Sequence, residues 1–386
     1  MQVPLTIAVA GAGLSGAVVA RELADAGHGV TVFEGRDHVA GNCHTERDDT
    51  GVLVHRYGPH IFHTASERVW AYMNRFGEMV PYRHRVRATA RGEVFGLPVN
   101  LTTINQLFGT SMTGPEAERF VAARAEPYRD RPATTFRDRG LATIGPELFE
   151  AFFDGYTRKQ WGVEPDELPA EVFSRLPLRF DDDDSYFDHP FQGMPRAGYT
   201  AVVQSMLHHP NIEVRLGAPL DPADCDGYDH TFWTGPLDAF FGRVDGPLTY
   251  RTIDFVTTIE SGDHQGCAVM NHCDRDVPHT RVTEHKHLAP WETHDGTVVS
   301  EEHPREWVEG DIPYYPVRLA LPTERVDGYV ARAAATASVT FLGRLGTYRY
   351  LDMDVAVGEA LECADAFLAA IDAGVRPPVF TVEVDH

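Results

Sequence analysis

Thr6-Ile7-Ala8-Val9-Ala10-Gly11-Ala12-Gly13-Leu14-Ser15-Gly16 is the stretch on which the fold turns. Its first five residues are a short apolar run suited to a buried strand, and Gly11, Gly13 and Gly16 follow in the spacing G-x-G-x-x-G. Leu14 to Ala26 then carries the spacing of an amphipathic helix, ended by Gly27. Val30-Thr31-Val32-Phe33 reads as a second strand with Glu34 at its end, 23 residues after Gly11. Strand, glycine turn, helix and acid-ended strand form the β-α-β unit that opens a doubly wound parallel sheet. The glycines permit close approach of a pyrophosphate to the helix N-terminus, while the carboxylate accepts the ribose hydroxyls of an adenosine. Dinucleotide binding is therefore expected, against the blander reading of a glycine-rich turn with no chemical role.

Working outward, the far end of the chain echoes this unit. Ser338-Val339-Thr340-Phe341-Leu342 reads as a strand, Gly343 to Asp352 as a loop, and Met353 to Ala370 as a helix with small residues on one side. Neither end alone completes a sheet, so the two must fold together around what lies between. From about Thr103 to Arg175 the chain is rich in Ala, Glu, Arg and Phe at helical spacing, which predicts a helical insertion. From about Thr249 to Pro316 it becomes β-branched and Pro-punctuated, with strands expected at Tyr250 to Thr257 and Gly296 to Val299 in a mainly antiparallel sheet. The fold class is thus α/β: a Rossmann-like cofactor domain (1–80, 191–245 and 325–386), the helical insertion (103–175) and the sheet domain (81–102, 176–190 and 246–324). No internal repeat or low-complexity linker interrupts it.

The 386 residues are 43% hydrophobic and 24% charged, as in a folded globular protein. Asp and Glu total 57 against 34 Lys and Arg, a net charge of 34 − 57 = −23. So acidic a surface repels polyphosphate and anionic lipid, which argues against nucleic-acid or membrane partners; an anionic ligand must be captured locally. Lysine occurs only at Lys159 and Lys286, and arginine supplies almost all positive charge. Its fork suits bidentate phosphate contacts, although a base-composition bias would look the same. Five scattered cysteines without a C-x-x-C pair give no disulfide framework or zinc site and suggest a reducing cytoplasm. Val3 to Ala20 is uncharged, but no basic residue precedes it, and Pro4 and the glycines break it, so it is not read as a leader or membrane segment.

Glu34-Gly35-Arg36-Asp37-His38-Val39-Ala40-Gly41 resembles the segment after the acidic residue in the flavoprotein branch of this fold. FAD is expected rather than NAD, because the C-terminal loop and helix offer a second approach to a large cofactor. No second G-x-G-x-x-G is present, so the flavin would be reduced by an external electron donor or kept in one redox state through turnover. His60 and His63, three apart, would share one side of a helix but not of a strand; alone they suggest packed or hydrogen-bonded histidines, and no metal is expected. Glu284-His285-Lys286-His287 alternates like a half-exposed strand, and Asp181 to Asp184 reads as a solvated acidic loop. Arg179, Arg281 and Arg344, combined with tyrosines, suit a diphosphate, the alternative being surface arginines. Tyr156 to Trp161 and Tyr186-Phe187 add aromatic faces for a base or sugar.

Taken together, Gly58-Pro59-His60-Ile61-Phe62-His63-Thr64, Gly155-Tyr156-Thr157 with Lys159-Gln160-Trp161, Arg175-Leu176-Pro177-Leu178-Arg179-Phe180, Tyr314-Tyr315-Pro316, and Gly343-Arg344-Leu345-Gly346 through Asp352-Met353-Asp354 resemble the bacterial-type UDP-galactopyranose mutase family over essentially the whole chain. The resemblance implies reversible contraction of a nucleotide-linked hexopyranose to the furanose, by covalent catalysis through N5 of reduced FAD and with no net redox change. It also implies roles. His63, Arg179 and Arg281 would be catalytic, the arginines holding the departing diphosphate and His63 lying beside the flavin ring. Phe152, Tyr156, Thr157, Trp161, Tyr186, Asn271, Tyr315, Tyr350 and His84 would bind substrate, with the Phe152–Trp161 region a mobile base-binding segment. Gly11, Gly13, Leu14, Ser15, Gly16, Glu34, Arg36, Gly41, Asn42, His60, Arg344, Tyr350, Asp352 and Met353 would hold the cofactor.

Three positions depart from the family pattern. Asp182 stands where an aromatic is common, His84 where asparagine is common, and Arg158 interrupts the base-binding segment. A carboxylate at 182 could pair with guanine N1 and N2, so the same chemistry on a GDP- or dTDP-hexose is an alternative. An FAD-dependent oxidase on the same fold and a nucleotide-sugar-binding regulator without catalysis are the other classes weighed. Monomer and homo-oligomer are not distinguished.

Overall fold

A computed structural model describes residues 3–175, 178–317 and 323–384. Leu176 and Pro177 of the Arg175–Phe180 motif, and part of the sheet domain drawn as 246–324, therefore lie outside the described residues. Thr6–Ala10, Leu14–Asp25 and Gly29–Phe33 form the expected strand, helix and strand. They belong to a five-stranded sheet in the order Ile212–Arg215, Gly29–Phe33, Thr6–Ala10, His230–Trp233 and Val339–Phe341. Every neighbouring pair is parallel, and Ile7 is level with Val30 on one side and His230 on the other. Parallel strands covered on both faces read as near-continuous apolar runs, as Ile7, Ala8 and Val9 do at no solvent exposure.

The helix Met353–Asp372 packs against Leu14–Asp25, so the two ends of the chain meet. Small residues permit the approach: Gly16, Ala17 and Ala20 on one helix and Ala360 and Ala364 on the other are buried. The intervening segment Gly343–Gly346 is a short helix rather than loop. Among the described residues no helix is long and apolar enough to cross a membrane.

The middle of the chain contributes helices at Leu101–Phe108, Gly114–Arg129, Phe136–Phe149 and Gly155–Trp161. Gly145, at φ 75° and followed by Pro146, breaks the third of these, and a single π turn at Glu150–Asp154 leads into the fourth. Phe136, Leu148, Phe149, Phe152 and Phe173 form a separate core there.

A seven-stranded sheet runs Tyr315–Pro316, Tyr250–Ser261, Gly296–Glu306, Arg281–Glu284, Val269–His272, Val86–Ala90 and Glu93–Leu97. All its pairs are antiparallel except Val269–His272 with Val86–Ala90. The two long strands extend well beyond the sequence reading, Tyr250 through Ser261 and Gly296 through Glu306. One expectation fails. Glu284 ends its strand and His285–Leu288 turns into a 3-10 helix, so the segment does not alternate. Glu284 and His285 are both fully buried, with the carboxylate accepting the backbone N–H groups of His264, Gln265 and Gly266. Three inward-turned amides outweigh alternation as a reason for that acid.

Candidate functional site

The carboxyl ends of Thr6–Ala10, Gly29–Phe33 and His230–Trp233 open onto a cleft of about 370 Å³. Ligands of open parallel sheets bind at such strand ends. Gly11, Gly13, Leu14, Ser15 and Gly16 line it from the turn, and Glu34, Arg36, Gly41 and Asn42 from the segment after the second strand. Arg344, Asp352 and Met353 close it from the C-terminal side. All twelve were expected to hold cofactor.

The cradle is built for close backbone approach. Gly11 sits at φ 107°, and a Cβ on Gly16 would lie 2.0 Å from the Gly11 carbonyl oxygen, so neither position tolerates a side chain. Glu34 is tied down by the backbone N–H of Ala12 at 2.9 Å and of Arg36 at 3.0 Å, which still leaves carboxylate lone pairs for a ribose. Arg36 donates to Asn42 Oδ1 at 2.8 Å and lies 4.5 Å from the Tyr57 ring centroid, yet its Nη1 is buried without a partner. An orphaned guanidinium nitrogen beside a helix N-terminus fits an anionic dinucleotide.

A second chamber, about 230 Å³, adjoins the cleft through the shared residues Arg344, Leu351, Asp352 and Met353. His60 and Tyr350, expected on the cofactor, line this chamber and not the cleft. His63, His84, Tyr156, Tyr186, Asn271, Arg281 and Tyr315 line it with them. Strand register explains the convergence: Asn271 is level with Arg281 across one pair, and Arg281 with Glu302 across the next. His63 belongs to the short strand Phe62–Thr64, level with Gln192, so His60 and His63 are joined by loop and strand and not by a helix. Phe187 stacks on the His63 ring at 3.7 Å, and His189 Nδ1 sits 2.8 Å from His63 Nδ1.

The electrostatics are one-sided. Burial pushes His84 down to about 3 and His60 down to about 4, and it lowers His63 as well. These imidazoles are neutral near pH 7. Burial raises Tyr186 to about 12 and also raises Tyr156 and Tyr315, so the phenols stay protonated donors. Positive charge therefore rests on Arg281 and Arg344. Burial opposes the charge of Arg281, but the Glu302 carboxylate 3.6 Å from its Nε more than offsets this. Arg281 Nη2 also donates to the Tyr156 hydroxyl at 3.4 Å. Arg344 donates to the carbonyl of Tyr314 at 3.0 Å and lies about 6 Å from the rings of Tyr315 and Tyr350, which stack on each other.

Four expected residues are not brought in. Arg179 turns its guanidinium to Asp188 and to the carbonyls of Asp183 and Ser185, outside the chamber lining. Phe152, within the π turn, is 3% exposed in the helical core, edge-on to Phe95. Thr157 is buried and Trp161 packs on the same core. Two departures also find structural partners. Asp182 accepts a hydrogen bond from Thr102 Oγ1 at 2.7 Å and does not line the chamber, and Arg158 pairs with Asp154 and Glu164. Glu302 went unnoticed in the sequence because Glu301-Glu302 gives no sign of which carboxylate faces inward; strand register decides it.

Fold and site together define a Rossmann-like dinucleotide-binding protein with a cationic, phenol-lined chamber set against its cofactor cleft. The profile of UDP-galactopyranose mutase matches residues 151–350, and that of NAD(P)-binding Rossmann-like domains matches 9–76. The chain belongs to the UDP-galactopyranose mutase family and is an isomerase. It is 50% identical to a probable UDP-galactopyranose mutase of Klebsiella pneumoniae, over 98% of each chain. It is also 46% identical to a dTDP-fucopyranose mutase of Escherichia coli, over 94% of this chain and 98% of the other. The crystal structure of a reduced UDP-galactopyranose mutase shares the fold, with a TM-score of 0.75 at 14% identity over 98% of this chain and 99% of that one.

Proposed function

We propose that the protein interconverts UDP-galactopyranose and UDP-galactofuranose in the chamber, with reduced FAD held in the adjoining cleft. The observation that carries this is Arg281, a half-buried guanidinium flanked by neutral phenols in the chamber that adjoins the cleft. When bound, reduced flavin supplies a nucleophilic ring nitrogen for the anomeric carbon. The chain's own contribution is electrostatic. Charge develops on the diphosphate as the anomeric bond breaks, and Arg281 stabilises it more in the transition state than in the ground state. Tyr156, Tyr186 and Tyr315 each donate one hydroxyl to the phosphate oxygens and, being neutral, add no repulsion. Glu302 holds Arg281 in place before the anion arrives. His84, with Nδ1 buried and unpartnered in the chamber wall, is a hydrogen-bond partner for a sugar hydroxyl.

Because Asp182 is occupied by Thr102 and away from the chamber, the guanine alternative loses its support. The second reading is the same ring contraction on a dTDP-hexose, favoured by the 46% identity to the dTDP-fucopyranose mutase. An external donor would reduce the flavin. Dithionite-reduced protein should be offered UDP-galactose, a dTDP-6-deoxyhexose and a GDP-hexose, with furanose product followed by chromatography. Turnover of a pyrimidine nucleotide sugar only after reduction is expected. Equal turnover by oxidised protein, or none with any nucleotide sugar, overturns the reading.

A further inference from the structure

On the sheet face opposite Glu302, His279, Glu301 and His303 converge. Glu301 and His303 are two apart on the Gly296–Glu306 strand and so share a face, while Glu302 between them points the other way to Arg281. His279 precedes the neighbouring strand, Arg281–Glu284, and completes the group. One imidazole nitrogen from each histidine and one carboxylate oxygen lie within 4.8 Å of one another. Glu301 Oε2 is 3.1 Å from His303 Nε2 and 3.5 Å from His279 Nδ1. Ligands about 2.0–2.1 Å from a tetrahedral zinc ion stand roughly 3.3 Å from each other, so these two separations need almost no movement. The nitrogen of His279 that faces Glu301 is Nδ1, while its Nε2 is buried without a hydrogen-bond partner.

We propose that His279, Glu301 and His303 form a binding site for a divalent zinc-like cation, open to water at a fourth position. Two imidazoles and one carboxylate select borderline ions such as Zn²⁺ over Mg²⁺ or Ca²⁺, which take oxygen ligands. The site ties residue 279 to the strand carrying Glu302, and so fixes the lead-in to Arg281 from outside the chamber. Lys159 is the nearby opposing charge. Its ammonium is already shared among the carbonyls of His272, Asp274 and His279, and Glu301 offsets its repulsion of a second cation. A comparable group, Asp263, Glu284 and His287, carries no such proposal because Lys286 Nζ already sits 2.7 Å from Asp263.

The test is independent of the mutase reading, since it measures binding and not turnover. Zn²⁺ is titrated into the full-length, flavin-loaded protein against a competing chromophoric chelator, and Co²⁺ is added in parallel to record its visible spectrum. One equivalent of Zn²⁺ and an intense, tetrahedral-type Co²⁺ spectrum are expected. Glu301→Gln, which keeps the side-chain shape, and His303→Ala should each weaken binding by at least the ~10–100-fold that loss of an outer-shell partner costs. Asp263→Asn should leave it unchanged. Stoichiometric binding that survives both Glu301→Gln and His303→Ala, loss only in Asp263→Asn, or no saturable binding overturns the proposal and leaves a hydrogen-bonded His-Glu-His latch.

Discussion

Arg281 and Arg179 have the same side chain in opposite circumstances. The Arg281 guanidinium faces the chamber with Glu302 behind it, whereas that of Arg179 is committed to Asp188 and two loop carbonyls. Arg281→Ala should therefore lower kcat/KM at least ~10²-fold, the scale of losing one transition-state donor, with flavin content unchanged. Arg179→Ala should cost clearly less in the same steady-state assay on reduced protein. Equal losses would mean that Arg179 leaves Asp188 and reaches the diphosphate during turnover. Residue types left surface arginines open at both positions, and it was the family resemblance that nominated the two as a diphosphate pair. Neither was enough to rank them, since which arginine a loop engages with its own carboxylate depends on tertiary contacts.

At the scale of elements, the strand-turn-helix unit at the N-terminus was legible because its glycines leave no steric alternative. Gly16→Ala would push a methyl to 2.0 Å from the Gly11 carbonyl, and the purified variant should lose most of its flavin absorbance while retaining far-ultraviolet helix signal. Full flavin loading would contradict the assigned cradle. The helix Gly155–Trp161 was less legible. Composition marked it as aromatic and substrate-facing, yet only Tyr156 lines the chamber, because the π turn resets which side chains point inward. Asp154, at the junction, gathers Arg137, Arg158 and Arg275. Asp154→Ala leaves three guanidiniums facing each other. It should destabilise the protein by about 2 kcal/mol, less than a fully buried pair because Arg275 is exposed. It should also raise KM for the nucleotide sugar, by loosening Tyr156, with little change in flavin content. Calorimetry and initial rates read the two effects separately.

Over the whole molecule, buried neutral histidines set the acid limit. His60, His230 and His285 are held down to about 4 and His84 to about 3, chiefly by burial, against an ordinary value of 6.5. Between those values the unfolded chain binds more protons than the folded one, so stability rises with pH through the window. This contribution is fully present above pH 6.5 and is lost as pH falls toward 4 and 3, on the order of 3 kcal/mol for each histidine held near 4 and more for His84. Melting temperature should fall steeply between pH 6.5 and pH 4, and His84→Gln should flatten part of that slope. A flat profile in wild type would refute it.

The sheet domain marks the limit of sequence reading at this scale. Its strands were visible as β-branched runs, but the pairing that sets Arg281 beside Glu302, and His279 beside Glu301, comes from register across 20 or more residues.

The parallel sheet takes its last strand, Val339–Phe341, from far along the chain, and that strand shields one side of His230–Trp233. During translation the central strands must wait, with one apolar edge unprotected, until residue 341 clears the ribosome exit tunnel. A nascent chain stalled before that point is an aggregation-prone client for holdase chaperones, and truncation there should yield insoluble product instead of a smaller folded unit.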